Sequence, residues 1–448
     1  MGARARPRRA PRRGQSSVRW LPAQLPDQRR PPSRPLTAVR PASRTFSALK
    51  VPNFRLFFIG QGISQIGNSL TLLTQSLLVY ELTNRGFVLG LINAFQFAPV
   101  LLLSAWTGTL ADRSDKRKML IRVQALGAVQ SAALFVVASL DEPPVAAICT
   151  LACMGGVLAS FDNPCRRAIV AETVPESEVT SAVNLNSALM TSSTVIGPAL
   201  GGVLIVLFGY SAAFGIDAIS YVAVLAALFR MDPSKMRRPV PLPKARGQIR
   251  YGLHQIRSQP ALRLPVGMAA LAGAAYNFTV LVPLLVKDTF GRSTGTFTFI
   301  YTCLSIGSVI GALSVARRGR IEARDLVRGN LWFAAVMVGL ALVPWVPLLA
   351  VWAMVVGIVS MSVFTASVTT LQIHSDPRAR GRIMALHSAC FLGAFALGAP
   401  VLGWLAEVSA PRVAIVAAAG FAAASAAWGG WMVRRDRLRA ESVEAAVA

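Results

Sequence analysis

Long stretches without Asp, Glu, Lys or Arg alternate along this chain with short charged runs, and the uncharged stretches set its architecture. Reading them as membrane spans places helices at 56–80, 86–111, 123–140, 143–161, 186–208 and 212–229. After a charged segment they resume at 264–286, 293–316, 329–344, 347–371, 383–406 and 413–433. Crossing about 30 Å of hydrocarbon takes about 20 apolar residues in a helix, because each residue rises about 1.5 Å and lipid satisfies no backbone hydrogen bond. Twelve such helices predict an all-α polytopic membrane protein. Two assignments lean on single features: the break at Pro344-Trp345-Val346-Pro347, and the sixth span, which carries Asp217.

The two sets of six repeat one another. Gly108 and Gly311 end equivalent spans, and Pro198-x-x-Gly201 recurs as Pro400-x-x-Gly403. The predicted plan is a tail (1–45), an N-terminal half (46–229), a basic linker (230–263), a C-terminal half (264–433) and a C-terminal tail (434–448). Parallel duplications of this kind form a substrate site between the halves near the bilayer midplane, and rocking one half against the other gives alternating access.

Composition agrees: 54% of the 448 residues are hydrophobic and the mean hydropathy is +0.52, too apolar for an ordinary soluble domain. The net charge of +26 would suit nucleic acid if its cations were clustered on a folded face. They are sorted by topology instead. With both termini on one side, that side holds all but four of the 46 Lys and Arg, the exceptions being Arg85, Lys287, Arg292 and Arg412. Basic residues resist translocation, so both termini and the linker are predicted to be cytoplasmic, in a cell membrane and with no nucleic-acid partner. Residues 1–50, with 12 Arg, 8 Pro and one acid, predict disorder; they read as an inert extension, a basic patch for anionic lipid, or a transit peptide.

The turn after the second span, GTLADRSDKRK, holds Gly108, Asp112, Arg113, Asp115, Arg117 and Lys118. Gly108 permits a tight approach of helices, and Asp112 can cap a helix or ion-pair across the interface between halves. The turn resembles the signature Gly-x-x-x-Asp-Arg-x-Gly-x-Arg-Arg of the major facilitator superfamily, departing from it at Asp115, where Gly is expected. With Asp162-Asn-Pro-Cys-Arg-Arg167, Gly197-Pro-Ala-Leu-Gly-Gly202 and Arg380-Gly-Arg382, the chain looks like the enterobactin-exporter and macrolide-efflux group, which includes drug:proton antiporters. The resemblance implies that Gly108, Asp112, Arg113, Arg117 and Lys118 form a latch for the outward-facing state. Asp112 would face the start of the eleventh helix near Arg382, and acids on cytoplasmic loops would hold Arg113 and Arg117. It also links Gly197, Pro198, Gly201 and Gly202 to helix packing in exporters, although Asn184 and Ser193 replace further glycines of the longer motif.

Gln61, Gln65, Asn68 and Gln75 share one face of the first helix and can either line a cavity or bond to neighbouring helices. Tyr276 and Asn277 in the seventh span, and Thr365 and Thr369 in the tenth, are weaker cavity candidates. With no Arg or Lys evident deep in a span, the sequence disfavours a strongly anionic substrate. Asp217 is either a proton-coupling site or a hydrogen-bonded structural residue. His254, His374 and His387 are too scattered for a metal or catalytic site and read as interfacial; the five cysteines read as packing residues. No phosphate-binding loop is present, so an ion or substrate gradient supplies energy. The expected protein is a monomeric, non-enzymatic secondary exporter of small amphipathic molecules such as drugs, siderophores or lipophilic metabolites, coupled to protons, with no cofactor or metal. The alternatives are an importer of a small organic solute and a non-transporting receptor or scaffold on the same fold.

Overall fold

A computed structural model of the chain describes residues 46–237, 254–317, 321–376 and 380–447. The N-terminal tail and residues 238–253 of the linker lie outside the described residues. Helices run over Pro52–Thr83 (α1), Gly86–Arg113 (α2), Lys116–Ala138 (α3), Val145–Glu172 (α4) and Val179–Arg230 (α5). Pro260–Ala272 (α6), Phe278–Leu284 (α7), Thr294–Ala316 (α8), Ala323–Leu342 (α9), Val346–His374 (α10), Arg380–Val408 (α11) and Pro411–Val447 (α12) follow.

Ten helices among the described residues are long and apolar enough to cross a membrane. One of them, Glu176–Arg230, is 55 residues long because α5 is two helical arms that meet at a kink at Gly209, whose φ is 80°. That left-handed angle favours glycine, which has no Cβ to clash. The 32-residue α1, with its polar stripe, is not among the ten. Counting the arms of α5 separately and adding α1 gives twelve membrane-length helices among the described residues.

Local chemistry sets the ends. Pro52 starts α1, and Asn84 ends it in the left-handed conformation, its N–H donating to the Tyr80 carbonyl. Asp115 is the N-cap of α3: its carboxylate accepts from the Lys118 N–H at 3.1 Å, which gives the residue in place of the expected Gly a concrete role. Glu322 and Asp325 form a capping box on α9. The break expected at 344–347 lies between Leu342, the end of α9, and Val346, the start of α10. Two features depart from the sequence reading. The seventh span is discontinuous, passing from α6 through a 3-10 turn (Gly273–Tyr276) into α7 and a wide turn over Leu285–Thr289. And α12 continues to Val447, through residues expected to form a tail, with Arg263 holding Asp436 at the start of that stretch by two bonds of 2.8 and 2.9 Å.

The halves meet across glycines. A Cβ on Gly86 would lie 2.4 Å from the Gly403 carbonyl oxygen, one on Gly90 2.3 Å from that of Ala399, and one on Gly202 1.9 Å from Thr298 Cγ2. So α2 packs on α11 almost backbone to backbone, and α5 meets α8 where the Thr298 side chain lies against Gly202. Polar bonds gather at the same end. Arg85 pairs with Glu407 at 3.0 Å, the Phe87 N–H donates to the same carboxylate, Lys287 pairs with Glu81 at 2.8 Å, and the Tyr80 hydroxyl bonds to Asp288. Nearer mid-depth, Thr279 donates to Asn93 at 2.8 Å and Phe97 meets Phe395 edge-on at 5.0 Å. Toward the opposite end, a Cβ on Gly108 would meet nothing within 4 Å.

Replacing Gly90 with Leu is expected to lower the apparent melting temperature of the purified protein by several degrees, since overpacking costs about 1–3 kcal/mol. Gly420→Leu, where a Cβ meets nothing within 4 Å, is expected to leave it unchanged in the same thermal scan.

Candidate functional site: the central cavity

A cavity of about 370 Å³ lies among α1, α2, α3, α4, the second arm of α5, α10 and α11. It runs from Gln75 and Gln96 toward Arg166 and Arg167, away from the glycine-packed end. All four amides of the α1 stripe line it. The two readings of that stripe are compatible, because a cavity wall in a membrane must itself be hydrogen-bonded. Gln75 accepts from Gln96 at 2.9 Å, and Gln65 accepts from Arg166.

Arg166 organises the lower wall. It pairs with Asp162 at 3.4 Å, donates to Asn163 at 2.7 Å and reaches Gln65 and the Met190 sulfur; Asp162 also accepts from Gln124 at 2.7 Å. Sequence reasoning placed 162–167 after the fourth span, so it found no cavity cation. The structure corrects this. Helix α4 continues through Pro164 to Glu172, so Asp162, Asn163, Arg166 and Arg167 are helical and line the cavity. Asp162 and Arg166 sit one turn apart, where opposite charges neutralise each other, and this spacing was visible in the sequence. Arg167 projects to the exposed side, with no ion pair or hydrogen bond among the described residues. Buried amide atoms on the wall also lack partners: Gln61 Oε1, Gln75 Nε2 and Gln124 Oε1. Such atoms cost about 1–3 kcal/mol each unless a ligand or water satisfies them. The wall thus offers acceptors, a donor and one uncompensated cation, beside the rings of Phe97, Phe364 and Phe391.

The remaining candidates lie elsewhere. Tyr276 donates to the Ser360 carbonyl at 3.0 Å, and Asn277 is fully buried, its amide bonded to the Ala274 and Phe395 carbonyls where the seventh span breaks. Neither lines the central cavity, and neither do Thr365 and Thr369; Phe364 takes that position on α10. Asp217, 1% exposed, accepts from Thr71 and Ser131 at 2.7 Å and from Ser220 at 3.2 Å. It ties α1, α3 and α5 together within the N-terminal half.

Gly197 and Gly202 make close approaches, to Ser69 of α1 and Thr298 of α8, while Gly201 sits in ordinary contact with Leu70 and Pro198 is buried between them. In the expected latch, the side chains of Asp112 and Arg113 lie outside the described residues. Arg117 is held by main-chain oxygens rather than an acid, donating to the Leu228 and Phe229 carbonyls at 2.8 and 3.2 Å at the end of α5, where the helix dipole favours a cation. Gly108 makes no close approach in this state, whereas its repeat partner Gly311 would place a Cβ 2.2 Å from the Ile358 carbonyl oxygen.

The model of the transmembrane secretion effector family matches residues 43–445. The chain belongs to this branch of the major facilitator superfamily. Like its relatives, this secretion-effector protein is a transporter and not an enzyme. It is 29% identical over 266 residues to the staphyloferrin A transporter of Staphylococcus aureus, covering 58% of this chain and 64% of that one. It is 25% identical to the enterobactin exporter EntS of Shigella flexneri, covering 83% and 88%. In fold it is similar to a bacterial homologue of the human lysosomal transporter Spinster solved in an inward-facing, unoccupied conformation, with a TM-score of 0.70, 13% identity and coverage of 88% and 98%.

Breaking the Arg166 hub should be costly, because it strands a half-buried carboxylate. Arg166→Met is expected to destabilise the protein by about 3 kcal/mol, and the pair Asp162→Asn with Arg166→Met to recover part of that loss, both read by thermal unfolding.

Proposed function

We propose that this transporter is a proton-coupled exporter that works by alternating access, with the central cavity as its substrate site. The carrying observation is the asymmetry of contact between halves: glycine packing and ion pairs gather at one end, and the cavity extends toward the other. The positive-inside distribution assigns the packed end to the outside and both termini to the cytoplasm, so the state described is inward-facing, ready to take substrate from the cell. The names of the similar proteins, one an enterobactin exporter, support outward transport of a siderophore-like molecule.

The cavity wall refines the substrate. Unpartnered amides favour a molecule rich in hydrogen-bonding groups, the aromatic rings favour one with an apolar body, and Arg167 favours one with an anionic group. This reverses the expectation drawn from the apparent lack of cavity cations. In the proposed cycle, closing the cytoplasmic end brings Gly108 and Asp112 of α2 toward the start of α11, where the latch forms; a single chain contains the whole cavity, so a monomer suffices.

Deleting the gene is expected to raise the cellular content of an anionic, hydrogen-bond-rich metabolite, read by metabolite profiling. Restoring the native chain should reverse it, Arg167→Gln should restore export at least tenfold less well at equal membrane abundance, and Asp112→Ala should not restore it. Unchanged metabolite levels in the deletion strain would overturn the exporter reading.

A further inference from the structure

The sequence reading made His387 an ordinary interfacial residue, but the structure buries it. It is 1% exposed on α11, seven residues past Arg380 and so about 10 Å into the helix. Its Nε2 lies 3.1 Å from the Ser367 hydroxyl of α10, and Nδ1 has no hydrogen-bond partner among the described residues. The ring borders a pocket of about 20 Å³, room for one water, together with Asn330 of α9 and Tyr276. Asn330 Oδ1 is buried and unpartnered. Tyr276 is the other titratable group on this pocket, its hydroxyl already given to Ser360, and no charged side chain from α6, α9, α10 or α11 lines it.

Two rings separate this pocket from the substrate cavity. Phe364 and Phe391 line both, with centroids 4.9 Å apart, and Phe364 also lies 6.1 Å from the His387 ring. A molecule seated against that side of the cavity therefore rests on the wall that closes the histidine pocket. Asp217 has no such position: three hydroxyls occupy its carboxylate, and it does not line the cavity.

We infer that His387 is the proton-carrying residue of the antiport cycle, binding a proton at Nδ1 in competition with substrate through the shared Phe364–Phe391 wall. The inference rests on the antiport reading. Imidazole becomes imidazolium when the proton arrives from water and returns to neutral imidazole when it leaves; no bond to substrate forms. An imidazolium without a carboxylate partner is costly in a membrane interior, so protonation favours the state that lets water and the Asn330 oxygen reach the ring.

Spin labels at Glu176→Cys and Arg380→Cys, one on each half at the open end, in a variant whose five native cysteines are alanine, report the separation of the halves. In phosphatidylethanolamine–phosphatidylglycerol liposomes titrated from about pH 3.5 to pH 8, a range wide enough for a buried histidine to change charge, the distance distribution is expected to shift through a one-proton transition. His387→Gln and His387→Asn should abolish the shift, Ser367→Ala should move its midpoint, and Asp217→Asn should preserve it. A parent protein without a shift, or a shift that survives both His387 variants, would overturn the inference. A chain that exports nothing in the deletion-strain assay yet loses its pH response with His387→Gln keeps the proton site and loses the exporter reading.

Discussion

Close glycine packing between the two six-helix halves, reinforced by polar side-chain bonds at the same end, is the constraint on which this structure depends. At Gly86 against Gly403 and Gly90 against Ala399, there is no space for even one methyl group. Lipid is as apolar as leucine, so helices in a membrane gain little from burying apolar side chains against one another and associate through close packing and polar bonds. Here both lie at the same end. The glycines bring α2 onto α11 and α5 onto α8, and the contacts of Glu81, Arg85, Lys287, Asp288 and Glu407 are made just beyond them. The central cavity lies away from that end, between helices of the N-terminal half and α10 and α11.

Inside the halves the governing constraint is the cost of unsatisfied polarity. The N-terminal half resolves it twice: Asp217 is saturated by hydroxyls from α1, α3 and its own helix, and Arg166 is distributed over Asp162, Asn163 and Gln65. Both clusters are internal to the half. Part of what is left unsatisfied lies on the cavity wall, at Gln61, Gln75, Gln124 and Arg167, and at Asn330 in the small pocket beside His387. That residue of unmet bonding separates the groups available to a ligand or a proton from those that build the scaffold.

Several features were legible in the chain because they depend on composition and local spacing. Uncharged runs of about 20 residues mark spans regardless of tertiary context, since the bilayer imposes the length. The amide face of α1 follows from helical periodicity, and all four of its members reach the cavity. The Gly197–Gly202 motif announced close helix contact, and Gly197 and Gly202 make it. Asp115 was unexplained as a departure from a signature and is explained as an N-cap.

Other features were not legible, for equally physical reasons. Hydropathy marks a span's end where charge begins, but α4 continues about three turns beyond that point because Asp162 and Arg166 neutralise each other inside a protein-lined cavity, and so Arg167 went unread as a cavity cation. The break at Gly273–Tyr276 carries no composition signal; Asn277 sustains it by capping carbonyls on two different segments. His387 looks like any polar residue near a helix start until α9, α10 and the seventh span close around it. The sequence by itself determined that the chain is a series of apolar helices long enough to cross a membrane, and in what order they come, because the bilayer sets that length. Only the tertiary structure decided which polar groups are consumed by the scaffold and which remain for chemistry, because that depends on partners hundreds of residues away in the chain.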